Sequence, residues 1–184
     1  MGFVGKPSMT ARDFHSDLRQ SLKGGDEAFW SAVYRKAFAN LLSTELCTDL
    51  DRQRQGIDRI LRLKNGRVLY VDEKKREQSY RDILLEYISN SERNTPGWIE
   101  KDLCIDYLAY AFMPQKRAYL FPWAMLFRAW YRFGDKWIDK YPRVVASTRV
   151  GSATYHTISC AVPIEVLTKA VSTAAIIDVR DILP

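Results

Sequence analysis

The chain has 184 residues, a length suited to one well-cored domain, and 47% of them are hydrophobic, which excludes an intrinsically disordered protein. Its net charge of +6 favours an anionic partner such as nucleic acid or a membrane surface. Cys47, Cys104 and Cys160 lie far apart with no CxxC pair, and neither an apolar signal core in residues 1–10 nor a run of roughly twenty apolar residues is present, so the expectation is a soluble, cytoplasmic protein with buried thiols and no membrane partner.

In chain order, residues 10–23 form a weak helical segment that reads as an N-terminal arm over 1–25, set off by Gly24 and Gly25 from a single domain over 26–184. Phe29, Trp30, Val33, Phe38, Leu41 and Leu42 recur at helical spacing and predict a helix over 26–46, with Asp26 and Glu27 at its positive end. Two runs rich in Ile, Leu and Val, 56–63 and 67–72, flank Lys64-Asn65-Gly66 and predict a hairpin, because Asn and Gly tolerate positive φ. A third strand is predicted over 82–89 and a loop over 91–97. Two more strands, 103–113 and 117–121, surround a turn at Pro114 and Gln115. Pro122 suits the start of a helix carrying Trp123, Leu126, Phe127, Trp130, Tyr131, Phe133 and Trp137, an aromatic face that reads as core or as a dimer interface. A polar loop over 146–154, a strand over 155–162 and a helix over 164–171 complete the expectation. This is an α/β (α+β) sandwich with a mixed, largely antiparallel sheet flanked by helices.

The chemistry concentrates in Gly56-Ile57-Asp58 and, beyond the turn, Val71-Asp72-Glu73-Lys74. Side chains on a strand alternate, so Asp72 and Lys74 share one face and Glu73 takes the other. Two carboxylates brought together by a hairpin suit a hard divalent cation, and an ammonium beside them can serve an attacking water and offset phosphate charge. Register decides the matter. A strict two-residue turn pairs Lys64 with Arg67 and sets Asp58 opposite Glu73, turning Asp58 and Asp72 to opposite faces. A bulge or longer turn restores the pair. Without it, Glu73 and Lys75 take the roles. The end of the apolar run at Val71 favours Asp72 and Lys74.

The acid on one strand and the acid-x-lysine on its hairpin partner resemble the PD-(D/E)XK nuclease superfamily, with Ile57 in place of the nominal proline. The resemblance covers residues 26–89. It implies a restriction-endonuclease-like αβββαβ core, catalytic Asp58, Asp72 and Lys74, and Mg²⁺, for which Mn²⁺ can substitute, held by Asp58, Asp72 and the backbone carbonyl of Glu73. The implied reaction is hydrolysis of DNA phosphodiesters, with RNA not excluded. Glu45 and Glu86 are candidates for an additional acid. Gln53 and Gln55 stand near enough in sequence to contact substrate. Arg54, Arg59, Lys75 and Arg76 belong to the densest basic stretch and are candidates for contacts to a nucleic-acid backbone. His15 and His156 stand alone, which argues against a histidine base. The competing reading is a non-catalytic nucleic-acid-binding or protein-interaction module of the same fold; under either reading a second copy of the chain (a homodimer) or an accessory protein is a candidate partner.

Overall fold

The computed structural model describes residues 24–150 and 153–183; the helical segment expected over 10–23 and His15 lie outside them. Helix α1 (Gly24–Ala37) starts at the two glycines, with Asp26 and Glu27 in its first turn and Arg35 and Lys36 in its last, the charge order that suits the helix dipole. It ends earlier than its periodicity predicts. Leu41 N–H donates to Phe38 C=O in a turn, and residues 41–46 become strand β1 (Leu41–Leu46). Leu41 and Leu42 prolong the helical spacing by coincidence, since Leu42 is 66% exposed on an edge strand. A short helix α2 (Leu50–Arg54) follows, capped by the Asp49 carboxylate, which accepts from the N–H groups of Asp51 and Arg52. Five residues are too few to show a period, so it is invisible in the hydrophobic pattern.

Six strands form the larger sheet. β2 (Arg59–Leu63) lies between β1 and β3 (Val68–Arg76), and beyond β3 come β6 (Tyr107–Phe112), β7 (Arg117–Pro122) and β10 (Ala175–Asp178). Among the described residues of this sheet, only β3 and β6 run parallel. A second, antiparallel sheet has the order β5-β4-β9-β8, from β5 (Thr95–Pro96), β4 (Asp82–Asn90), β9 (Ala153–Pro163) and β8 (Arg143–Val150). Alternation along β2, β3 and β6 supplies two cores. Leu61, Leu69, Val71, Ala109 and Ala111 face Trp30, Val33 and Tyr34 of α1. Ile60, Leu108, Tyr110 and Phe112 face Ile83 and Leu85 of the smaller sheet, together with helices α3 (Trp123–Lys140) and α4 (Ile164–Ala170).

The class is therefore mixed α+β, as expected, but the strands form two sheets where the expectation was one. Three details differ. The stretch 146–150, expected as loop, belongs to β8, whose described residues are exposed on both faces and so show no burial alternation to read. β10 is a strand the sequence pattern does not predict: its four residues are mostly exposed and close the far edge of the larger sheet. The connection from β3 to its parallel neighbour β6 runs through β4, β5 and a 3₁₀ turn at Trp98–Glu100, whereas the αβββαβ order calls for a helix there. On α3, Trp123, Leu126, Trp130 and Trp137 are core, while Tyr131 is 88% exposed. Among the described residues no helix is long and apolar enough to cross a membrane.

Candidate functional site

The β2–β3 hairpin sets the geometry. Leu63 C=O accepts from Gly66 N–H and Leu63 N–H donates to Arg67 C=O, so the loop has three residues, 64–66, and Gly66 takes φ +85°. This is a turn followed by a left-handed glycine, the three-residue hairpin that inserts one residue relative to the two-residue form. Arg59 then pairs with Val71, Ile60 with Tyr70 and Leu61 with Leu69. That ladder ends at Arg59: Asp58, just before β2, also sends its N–H to Val71 C=O, so two residues stand opposite one, as in a bulge, and the Asp58 carboxyl turns to Asp72.

Asp58 is fixed by its backbone and its side chain together. Its N–H donates to Val71 C=O at 2.9 Å, its C=O accepts from Cys47 N–H at 2.8 Å, and its Oδ2 accepts from Glu73 N–H at 2.9 Å. Its carboxyl lies within hydrogen-bonding reach of Asp72, and burial together with the Asp72 charge pushes its pKa up to about 7. Asp72 is 2% exposed and accepts a hydrogen bond from Lys74 Nζ. Burial works against the Lys74 ammonium, but the charges of Asp72 and Asp58 outweigh it and hold its pKa above the ordinary lysine value. One cation thus stands against two crowded carboxylates, an arrangement that would gain from further positive charge.

Lys74 opens into a cleft of about 710 Å³ between the sheets. Glu86 of β4 lines it and is close enough to Lys74 and Asp72 to feel both charges; burial raises its pKa above the usual carboxylate value. Trp98, Tyr80, Thr157 and Ser159 complete the walls that matter here. None of these four stands out in the sequence. Only Gly97, before Trp98, leaves a trace: a Cβ there would lie 2.1 Å from Glu86 O, so the backbone rests flush on β4. β4 carries register irregularities at this point, between Glu86 and Ile88 and between Ile88 and Asn90. No family model, no curated protein and no solved structure matches the chain.

The remaining candidates divide. Arg59 is the clear correction. It is 1% exposed, clamped by Glu27 and Glu73 beneath α1, and so is closed to a nucleic-acid backbone. An arginine at an inward position of a strand pattern is the available signal. Glu73 points the same way, accepting from Arg59 and from Tyr34 Oη, which leaves Asp72 as the β3 acid beside Asp58; Lys75 pairs with Asp26 of α1 and also borders the cleft. Glu45 is exposed and pairs with Arg62, apart from the acid pair. Arg54 is exposed and pairs with Asp51, while Arg76 lines the cleft and pairs with Asp82. Gln53 donates to Cys47 C=O in a structural bond, Gln55 is exposed, and His156 pairs with Glu92. Cys47 and Cys160 are buried as expected, but Cys104 is exposed. Among the described residues no group of three or more His, Cys, Asp or Glu side chains is arranged to hold a metal. Asp58 and Asp72 remain, and one or two carboxylates completed by waters are what Mg²⁺ commonly takes.

Proposed function

We propose that the protein is a Mg²⁺-dependent nuclease that hydrolyses DNA phosphodiesters at a PD-(D/E)XK-type site. The observation that carries this reading is the proximity of the Asp58 and Asp72 carboxyls, with Lys74 Nζ bonded to Asp72 and lining a cleft. Asp58 and Asp72 would hold Mg²⁺ or Mn²⁺, with the Glu73 carbonyl as a further oxygen donor. When bound, the ion supplies Lewis acidity towards the phosphoryl group. The chain's own groups do the rest. Glu73 N–H holds the Asp58 carboxylate in place. Lys74, kept protonated by its acidic neighbours, donates a hydrogen bond to the attacking water or to a phosphoryl oxygen and offsets the charge that builds there. Glu86 adds a carboxylate on the other wall that orients Lys74.

The test is cleavage of circular single-stranded and supercoiled double-stranded DNA by the full chain in Mg²⁺ or Mn²⁺. EDTA should abolish it, and Asp72→Ala and Lys74→Ala should each lower the rate by about 10³-fold or more, the several kcal/mol such groups supply. DNA bound but uncut by the wild type under every metal condition would favour the non-catalytic binding module. Cleavage surviving both substitutions would refute the site.

A further inference from the structure

We infer that the cleft beside Lys74 takes an unpaired nucleic-acid strand, with a base stacked on Trp98 or Tyr80, and does not take a base-paired duplex. The inference rests on the proposed phosphodiester site and adds the form of the substrate.

Three observations carry it. The first is size. A cleft of about 710 Å³ is of small-ligand dimensions, with room for one or two nucleotides, whereas a base-paired segment brings two strands and their backbones together. The second is aromatic surface beside the acids. The Trp98 ring packs against Trp123, ring centroids 6.4 Å apart, and its backbone is fixed one residue before by Gly97 N–H, which donates to Tyr87 C=O at 2.9 Å. Lys74 Nζ lies 6.0 Å from the Trp98 ring centroid. A base on that ring would bring its own phosphate to the ammonium that pairs with Asp72. Tyr80 is 37% exposed and carries the Arg76 guanidinium 3.5 Å from its ring centroid; arginine planes and aromatic rings both stack on bases. An aromatic face reaches a base only when that base has left its stack.

The third observation is charge. Duplex binding draws on many phosphate contacts from basic side chains. Here Lys75 is engaged by Asp26 and Glu77, and Arg76 by Asp82. The walls across from them offer the neutral hydroxyls of Thr157 and Ser159, suited to hydrogen bonds with bases or backbone. Affinity should therefore come more from stacking than from counterion release.

The experiment measures fluorescence anisotropy of a labelled oligodeoxynucleotide of about a dozen bases, its RNA counterpart, the same sequence as a duplex, and a strand in which abasic sites replace the central bases, all with the full chain in EDTA. A single strand of either sugar should bind at least about tenfold tighter than the duplex, and the abasic strand should lose about tenfold, the size of one base stack. Trp98→Leu should produce a similar loss. The abasic arm uses the wild-type protein, so the result stands even if that variant fails to fold. Equal or tighter binding of duplex, unchanged binding of the abasic strand, or no binding of any strand overturns the inference. Parallel cleavage assays in Mg²⁺ separate it from the proposed activity: cutting with duplex preference sinks only the substrate form, and strand binding without cutting sinks only the hydrolysis.

Discussion

Asp72 and Glu73 are adjacent on β3, yet the two faces they occupy bond their carboxylates in different ways. On the α1 side, Glu73 and Glu27 meet the Arg59 guanidinium, and Tyr34 Oη donates to Glu73 at 2.8 Å. Both faces set two carboxylates against one cation, but on the α1 side each carboxylate is hydrogen-bonded to that cation directly. On the cleft side Asp58 and Asp72 are pressed against each other, Lys74 bonds Asp72, and Asp58 is driven towards the neutral form. A network with its polar groups satisfied serves folding. Two carboxyls pressed together cost stability and mark where a ligand would relieve them. The number of charged residues on this hairpin therefore says little, and the face each occupies says most.

The largest effect should come from breaking the satisfied face. Arg59→Met would strand the Glu73 carboxylate, which is only 10% exposed, and should cost about 3–5 kcal/mol of unfolding free energy in a denaturant titration. Adding Glu73→Gln to that variant should recover part of the loss, since the two positions are directly coupled. A loss below about 1 kcal/mol for Arg59→Met would mean that the network contributes little and that the contrast between the faces is wrong.

The cleft face predicts the opposite sign. Asp58 is raised from 3.8 to about 7, so its contribution to stability is full below about pH 4 and is lost as the pH rises through about 7, where the folded chain must release a proton that the unfolded chain gave up earlier. In EDTA, the wild type should lose on the order of 4 kcal/mol across this window relative to Asp58→Asn, which has no carboxyl to titrate. Measured by unfolding at several pH values, the variant should be the more stable of the two above about pH 7. Mg²⁺ should narrow that gap. Parallel pH profiles for wild type and variant would show that Asp58 is not strained by its neighbour.

Much of the hairpin and its site is legible in the sequence alone. Gly56-Ile57-Asp58, the Asn65-Gly66 turn and the alternation through Val71-Asp72 are local signals, and local signals survive folding. The features that escape such a reading are long-range. Leu41 and Leu42 keep helical spacing into β1 because a pairing partner at residues 59–63 decides their state. Arg59 has the look of one of several surface cations, and only α1 packed above it makes it a buried clamp. Trp98 and Ser159 join the cleft from segments about 25 and 85 residues after Lys74, as the β4–β9 pairing brings them in, and no spacing rule reports that.

The smallest expected effect tests what holds the two acids together. Gly66 stands at φ +85° with no heavy atom within 4 Å of where a Cβ would be, so Gly66→Ala adds backbone strain and no clash. That strain should cost about 1 kcal/mol, and Gly66→Asn less, because Asn tolerates the left-handed region. Two devices compete to fix the register. One is the three-residue turn. The other is the burial of Leu61 and Leu63 on the α1 face, both of which would have to leave that core if β2 slipped by one residue past β3. The second involves two fully or nearly fully buried leucines and should dominate, so Gly66→Ala should weaken the fold slightly while Asp58 stays beside Asp72. Unfolding curves give the cost, and the pH profile of the variant reports whether the raised Asp58 titration persists. A cost of several kcal/mol, or loss of that titration, would show that the turn and not the hydrophobic alternation keeps the acid pair assembled.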